Sequence, residues 1–136
     1  MLWHILENGV LWDKMELYPH VYRVINTLKH NRYIEIKIVT STYYKIVTPK
    51  INKLLELLPM LDRNDIIITD DKSWVDVDVL IDDYEQNLIN SNAKIKVLIN
   101  QPYNKHVNSY DYTYRAYDLL DAYIYILNGG IELFEC

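Results

Sequence analysis

The chain has 136 residues, half of them apolar, with 14 lysines and arginines against 19 aspartates and glutamates for a formal charge of −5. That suffices for one domain with a single core. The acidic balance excludes a dedicated nucleic-acid or membrane-surface binder, which needs a positive face.

Other absences narrow the field further. Three glycines leave no Gly-rich phosphate loop, which excludes a P-loop or a dinucleotide-binding fingerprint. The one cysteine, Cys136, allows no disulfide or cysteine zinc site within one chain. His4, His20, His30 and His106 show no metal-ligand spacing and read as structural or surface residues. No apolar run reaches the roughly 18 residues of a membrane span, and no signal peptide opens the chain. A cytoplasmic location is expected.

In chain order, residues 1–17 mix Trp3, Ile5, Leu6, Val10, Leu11 and Trp12 with Asn8-Gly9 and read as a short helix or turn with a broad apolar surface. Pro19 suits the first turn of a helix. Val21, Val24, Ile25 and Leu28 then recur at helical spacing and predict one buried stripe as far as about His30. Residues 34–40 alternate and then turn wholly apolar, a strand running inward. A second helix is predicted from Thr48-Pro49, with Ile51, Leu54, Leu55, Leu58 and Leu61 as its core face.

Three short apolar strands follow: 66–68 ending at Thr69-Asp70, 77–81 ending at Asp82-Asp83, and 95–99 ending at Asn100-Gln101-Pro102. A last helix is predicted over about 116–127, with Gly129 near its cap. Such alternation of short apolar strands and helices predicts an α/β fold with a mostly parallel sheet covered on both faces. Its ligand site should lie beyond the carboxyl ends of the strands.

Those ends gather hydroxyls at Thr40-Ser41, an ammonium at Lys72 and two adjacent carboxylates at Asp82-Asp83. Hydroxyls can hold phosphate oxygens, and a lysine can neutralise charge developing on phosphorus. Neighbouring carboxylates held together repel unless a cation sits beside them, and Mg²⁺ fits. Each residue alone has an ordinary reading: strand end, solvated lysine, or cap of the helix that follows at Glu85. Signal-receiver domains use a similar set, but there the acidic pair comes first and the lysine last. Here the order is hydroxyl, lysine, acidic pair.

Residues 36–41, an apolar strand ending in Thr40-Ser41, resemble motif II of haloacid-dehalogenase-type phosphatases. Asp71-Lys72-Ser73 and the run from Trp74 to Asp83 resemble motifs III and IV of the 5′(3′)-deoxyribonucleotidases within that superfamily. Asn87, the segment from Val97 to Asn104 with its Gln101-Pro102-Tyr103-Asn104 loop, and Arg115 are similar to later features of the same family.

The resemblance implies a Rossmann-like three-layer sandwich and Mg²⁺-dependent dephosphorylation of deoxyribonucleoside monophosphates. Thr40, Ser41 and Lys72 would bind phosphate, Lys72 would stabilise its charge, and Asp82 and Asp83 would bind the metal.

The family opens with a strand ending in Asp-x-Asp, its nucleophile and its acid–base residue, and no such strand is recognised here. Residues 1–17 are therefore expected to be a remnant of the cap region and 18–136 the core domain, with the central motif I strand missing. A lone chain would then be unstable or oligomeric, would need a complementing N-terminal segment, or would have to rebuild its sheet. The chain alone is expected to be incomplete or inactive, and three explanations compete: a truncated or mis-started reading frame, half of a split enzyme completed by another polypeptide, and a non-catalytic binding protein with a rebuilt sheet and an apolar interface around Trp3 and Trp12.

Overall fold

The computed structural model describes residues 2–6, 10–13, 16–71 and 76–129, with backbone alone at 2–6, 12, 13, 109 and 129. Six strands form one sheet: β1 (Leu2–Leu6), β4 (Glu35–Thr40), β5 (Ile66–Ile68), β6 (Val79–Asp82), β7 (Ile95–Ile99) and β8 (Tyr114–Ala116). Their order is β5-β4-β1-β6-β7-β8, and every neighbouring pair is parallel. Two short strands, β2 (Trp12–Asp13) and β3 (Glu16–Leu17), make a separate antiparallel hairpin.

The α-helices among the described residues are α1 (Val21–Lys29), α2 (Val47–Leu57), α3 (Glu85–Ile89) and α4 (Leu119–Gly129). The alternation of strand side chains explains the layers. Ile36 and Ile38 of β4, Val79 and Ile81 of β6, and Ile95, Val97 and Ile99 of β7 join one core cluster. It also takes Val21, Val24, Ile25 and Leu28 of α1, Leu54 of α2, and Leu119, Ala122 and Ile126 of α4. The intervening Val39, Leu80 and Leu98 meet Leu88 of α3, Ala93 and Val107 on the other side. The expected three-layer α/β sandwich is present.

The expected gap at its centre is not. Leu2–Leu6 fills the place between the strands that end at Thr40 and Asp82, pairing Leu2–Leu6 with Glu35–Val39 on one side and Trp3–Ile5 with Val79–Ile81 on the other. A parallel strand buried on both faces needs only a short run of bulky apolar residues. Leu-Trp-His-Ile-Leu comes close, apolar at every position but His4, and is too short for periodicity to separate strand from helix. Residues 2–6 thus belong to the core sheet. The hairpin that follows is anchored by Val10 and Leu11, both buried in the larger cluster, and by Tyr18 N–H donating to Leu11 O at 2.8 Å.

The helices start and stop close to where periodicity predicts. Strand β8 has no counterpart in the sequence reading, and α4 begins at Leu119 where the pattern suggested Ala116. Ala116 instead pairs with Ile99 at the sheet edge. No helix among the described residues is long and apolar enough to cross a membrane.

Candidate functional site

Thr40 and Asp82 each close their strand, one strand away on either side of β1, and both are buried at 1% exposure. Thr40 Oγ1 donates to the Ser41 carbonyl at 3.2 Å. One carboxylate oxygen of Asp82 accepts from the backbone N–H of Asp83 at 2.7 Å and of Tyr84 at 3.2 Å. Those bonds turn the chain from β6 toward α3. Asp82 therefore does part of what a helix-capping residue does, while its carboxylate stays at the carboxyl edge of the sheet.

Asp83 is held differently. Its carboxylate accepts from the Tyr103 hydroxyl. Burial first, and the Asp83 hydrogen bond and charge next, push the Tyr103 phenol well above its ordinary value, so it donates throughout the neutral range. The Asp83 carbonyl accepts from Asn104 Nδ2 at 3.0 Å, and the same amide donates to Ile99 O at 2.7 Å. Asn104 Oδ1 accepts from Gln101 N–H at 2.9 Å and from Arg115 at 3.1 Å. Arg115 also donates to Asn100 Oδ1 at 2.9 Å and Asn104 O at 3.1 Å. The Gln-Pro-Tyr-Asn loop is thus a bracket between the ends of β6, β7 and β8. Sequence similarity singled out these residues; the pairings came only from the fold.

Ser41 opens a cleft of about 480 Å³ lined by Ser41, Thr42, Tyr43, Tyr44 and Asp70. Lys50, in the first turn of α2, donates to the Ser41 carbonyl at 3.3 Å, a cation that sequence reasoning passed over. Its signal was available: it follows Thr48-Pro49 at a helix start, shortly after motif II in the chain. Lys72 lies outside the described residues. A second hollow of about 270 Å³ lies at the end of β7, among Val10, Tyr18, Pro19, Ile99, Asn100, Gln101, Tyr117 and Asp118.

The centre of the edge carries the chemical consequence of the filled sheet. Leu6 pairs with Val39, and Ile5 with Ile81, so the register sets Leu6 one residue short of Thr40 and level with Asp82. The strand between the hydroxyl and the carboxylate therefore ends in a residue without a nucleophile. The sequence continues Glu7-Asn8, outside the described residues. The chain's one Asp-x-Asp, Asp76-Val77-Asp78, precedes β6 and lines a hollow with Asn92 and Lys94 at the opposite, amino edge. It is not available to Thr40.

Among the described residues, no three His, Cys, Asp or Glu side chains converge as a metal cage. Asp82 and Asp83 nonetheless offer hard oxygen donors at one strand end. That set suits Mg²⁺, which takes one or two carboxylates and completes its shell with water and substrate phosphate.

Residues 1–129 match a family model described as 5′ nucleotidase, deoxy (Pyrimidine), cytosolic type C protein. The chain is also similar to a 5′(3′)-deoxyribonucleotidase of Clostridium acetobutylicum, 36% identical over 87 residues, which is 64% of this chain and 46% of that protein. The match spans about half the length of that relative.

Proposed function

Since the chain belongs to the cytosolic type C family of 5′-deoxynucleotidases, a branch of the haloacid-dehalogenase-like phosphatases, we propose that it binds nucleoside monophosphates at the carboxyl edge of its sheet without hydrolysing them. Family membership supports a 5′-nucleotidase-like phosphatase fold and site. The observation behind the non-catalytic reading is Leu6, which ends the central strand between Thr40 and Asp82.

Thr40 and Ser41 hold the phosphate through hydroxyl and backbone donors, and Lys72 offsets its charge. Asp82 is the first choice for direct contact with Mg²⁺, and Asp83 stands beside it, steadied by Tyr103. Bound there, the ion would screen the phosphate's negative charge. Hydrolysis in this family further needs a carboxylate to attack phosphorus and a second to protonate the leaving oxygen. The central strand ends in Leu6, and two residues on, at the spacing of the family's second carboxylate, the sequence has Asn8.

On this reading residues 10–17 are what is left of a cap, and the location is cytoplasmic, where nucleoside monophosphates occur. A complementing N-terminal segment loses its support, because β1 already pairs on both sides.

The test is Mg²⁺-dependent phosphate release from deoxyribonucleoside monophosphates. Wild type should release none above background, and the Leu6→Asp, Asn8→Asp double variant should gain release that Asp82→Asn removes. Wild-type turnover that disappears with Asp82→Asn would overturn the non-catalytic reading and reveal a different nucleophile.

A further inference from the structure

The turn after motif II carries more aromatic surface than its packing uses. Tyr43 and Tyr44 stand 59% and 72% exposed, and neither belongs to the hydrophobic clusters that hold the domain together. Their rings lie 4.8 Å apart and tilted by 57°, each fixing the other's position. The Lys45 ammonium sits 5.9 Å from the Tyr44 ring centroid. Both rings line the same cleft of about 480 Å³ as the hydroxyls of Ser41 and Thr42 and the carboxylate of Asp70. One cleft therefore joins two hydroxyl residues and a paired aromatic surface, with Lys45 beside the Tyr44 ring and Lys50 bonded to the Ser41 carbonyl.

We propose that the Tyr43–Tyr44 pair is the nucleobase platform of this chain, stacking the base of a nucleoside monophosphate whose phosphate sits at Thr40-Ser41. This rests on the binding reading above and deepens it. Ser41 and Tyr43 are two residue steps apart, with Thr42 between them, at most about 7 Å of backbone. A single nucleotide bridges that separation and an isolated phosphate does not. The cleft is within the size range of small-molecule sites, on the order of 300–1,000 Å³. Stacking on a ring accepts any base, because every base has a π-face.

The hairpin β2–β3 does not compete for this role. It is drawn into the larger core through Val10 and Leu11, and Val10 lines the other hollow, at the end of β7. The nucleobase is favoured over a protein partner because the two tyrosines line the same shallow cleft as Ser41, next in the chain to Thr40.

Calorimetric titration of the full chain with deoxythymidine monophosphate and with inorganic phosphate tests this, using wild type, Tyr44→Phe and the Tyr43→Ala, Tyr44→Ala double variant. Both tyrosines are exposed, so the variants should keep the wild-type circular dichroism spectrum. The double variant should bind the nucleotide roughly 5- to 100-fold more weakly, the range of one stacked base. Its phosphate affinity should stay unchanged, and Tyr44→Phe should behave as wild type. Unchanged nucleotide affinity in the double variant would overturn the platform and leave the binding site standing. Failure of wild type to bind either ligand would overturn the binding reading and the platform with it.

Discussion

Asn104 donates from one amide nitrogen to carbonyls at two strand ends, Ile99 O and Asp83 O, and accepts Gln101 N–H and Arg115 on its oxygen. It is 3% exposed, so water cannot replace those partners. Truncation to alanine would strand several buried polar groups at once, each costing about 1–3 kcal/mol. Asn104→Ala should therefore lose about 2–4 kcal/mol of stability in urea titration, at the large end for a single substitution. A loss below about 1 kcal/mol would mean the bracket is not cooperative. At this scale the sequence named the right residues, Tyr103, Asn104 and Arg115, through their likeness to a family pattern. It could not pair them, because Asn104 reaches Asp83 across 21 positions and Arg115 across 11. Spacing carries no signal over such separations.

The strands whose apolar runs end in polar residues, β4 through β7, were legible from the sequence. Within the six-stranded sheet β1 and β8 were not, for different reasons. β8 offers only Tyr-Arg-Ala, a three-residue edge strand with no alternation long enough to detect. β1 offers five bulky residues, but it ends in Leu6 where the family pattern ends in carboxylates. A backbone test of β1 avoids its side chains. His4 sits mid-strand, with Lys37 on one side and Leu80 on the other. His4→Pro removes a ladder N–H and pushes a ring toward a neighbouring strand. It should cost about 3 kcal/mol or more, a large share of a small domain's stability. Thermal unfolding near the wild-type midpoint would show that β1 does not hold the sheet.

Among the described residues the sheet of the molecule is continuous from edge to edge, with three residues in each outer strand, β5 and β8. Short edges discourage added pairing. The sequence reading expected instability or oligomerisation from a vacant centre, and a filled centre removes that physical reason. A synthetic peptide with an apolar strand ending in Asp-x-Asp should therefore neither bind the purified chain nor confer phosphate release. Binding with stoichiometric gain of activity would restore the split-enzyme explanation.

β1 has a further consequence beyond filling space. From it the chain winds outward in both directions, through β4 and β5 on one side and through β6, β7 and β8 on the other. Where winding reverses, the connections leave in opposite senses and a crevice opens between them whatever side chains stand there. A crevice at the sheet edge that carries Thr40 and Asp82 is thus expected from topology, independent of any nucleophile. A lineage can lose its catalytic carboxylates and keep a vestibule for the old ligand, which selection can then use for sensing or sequestration.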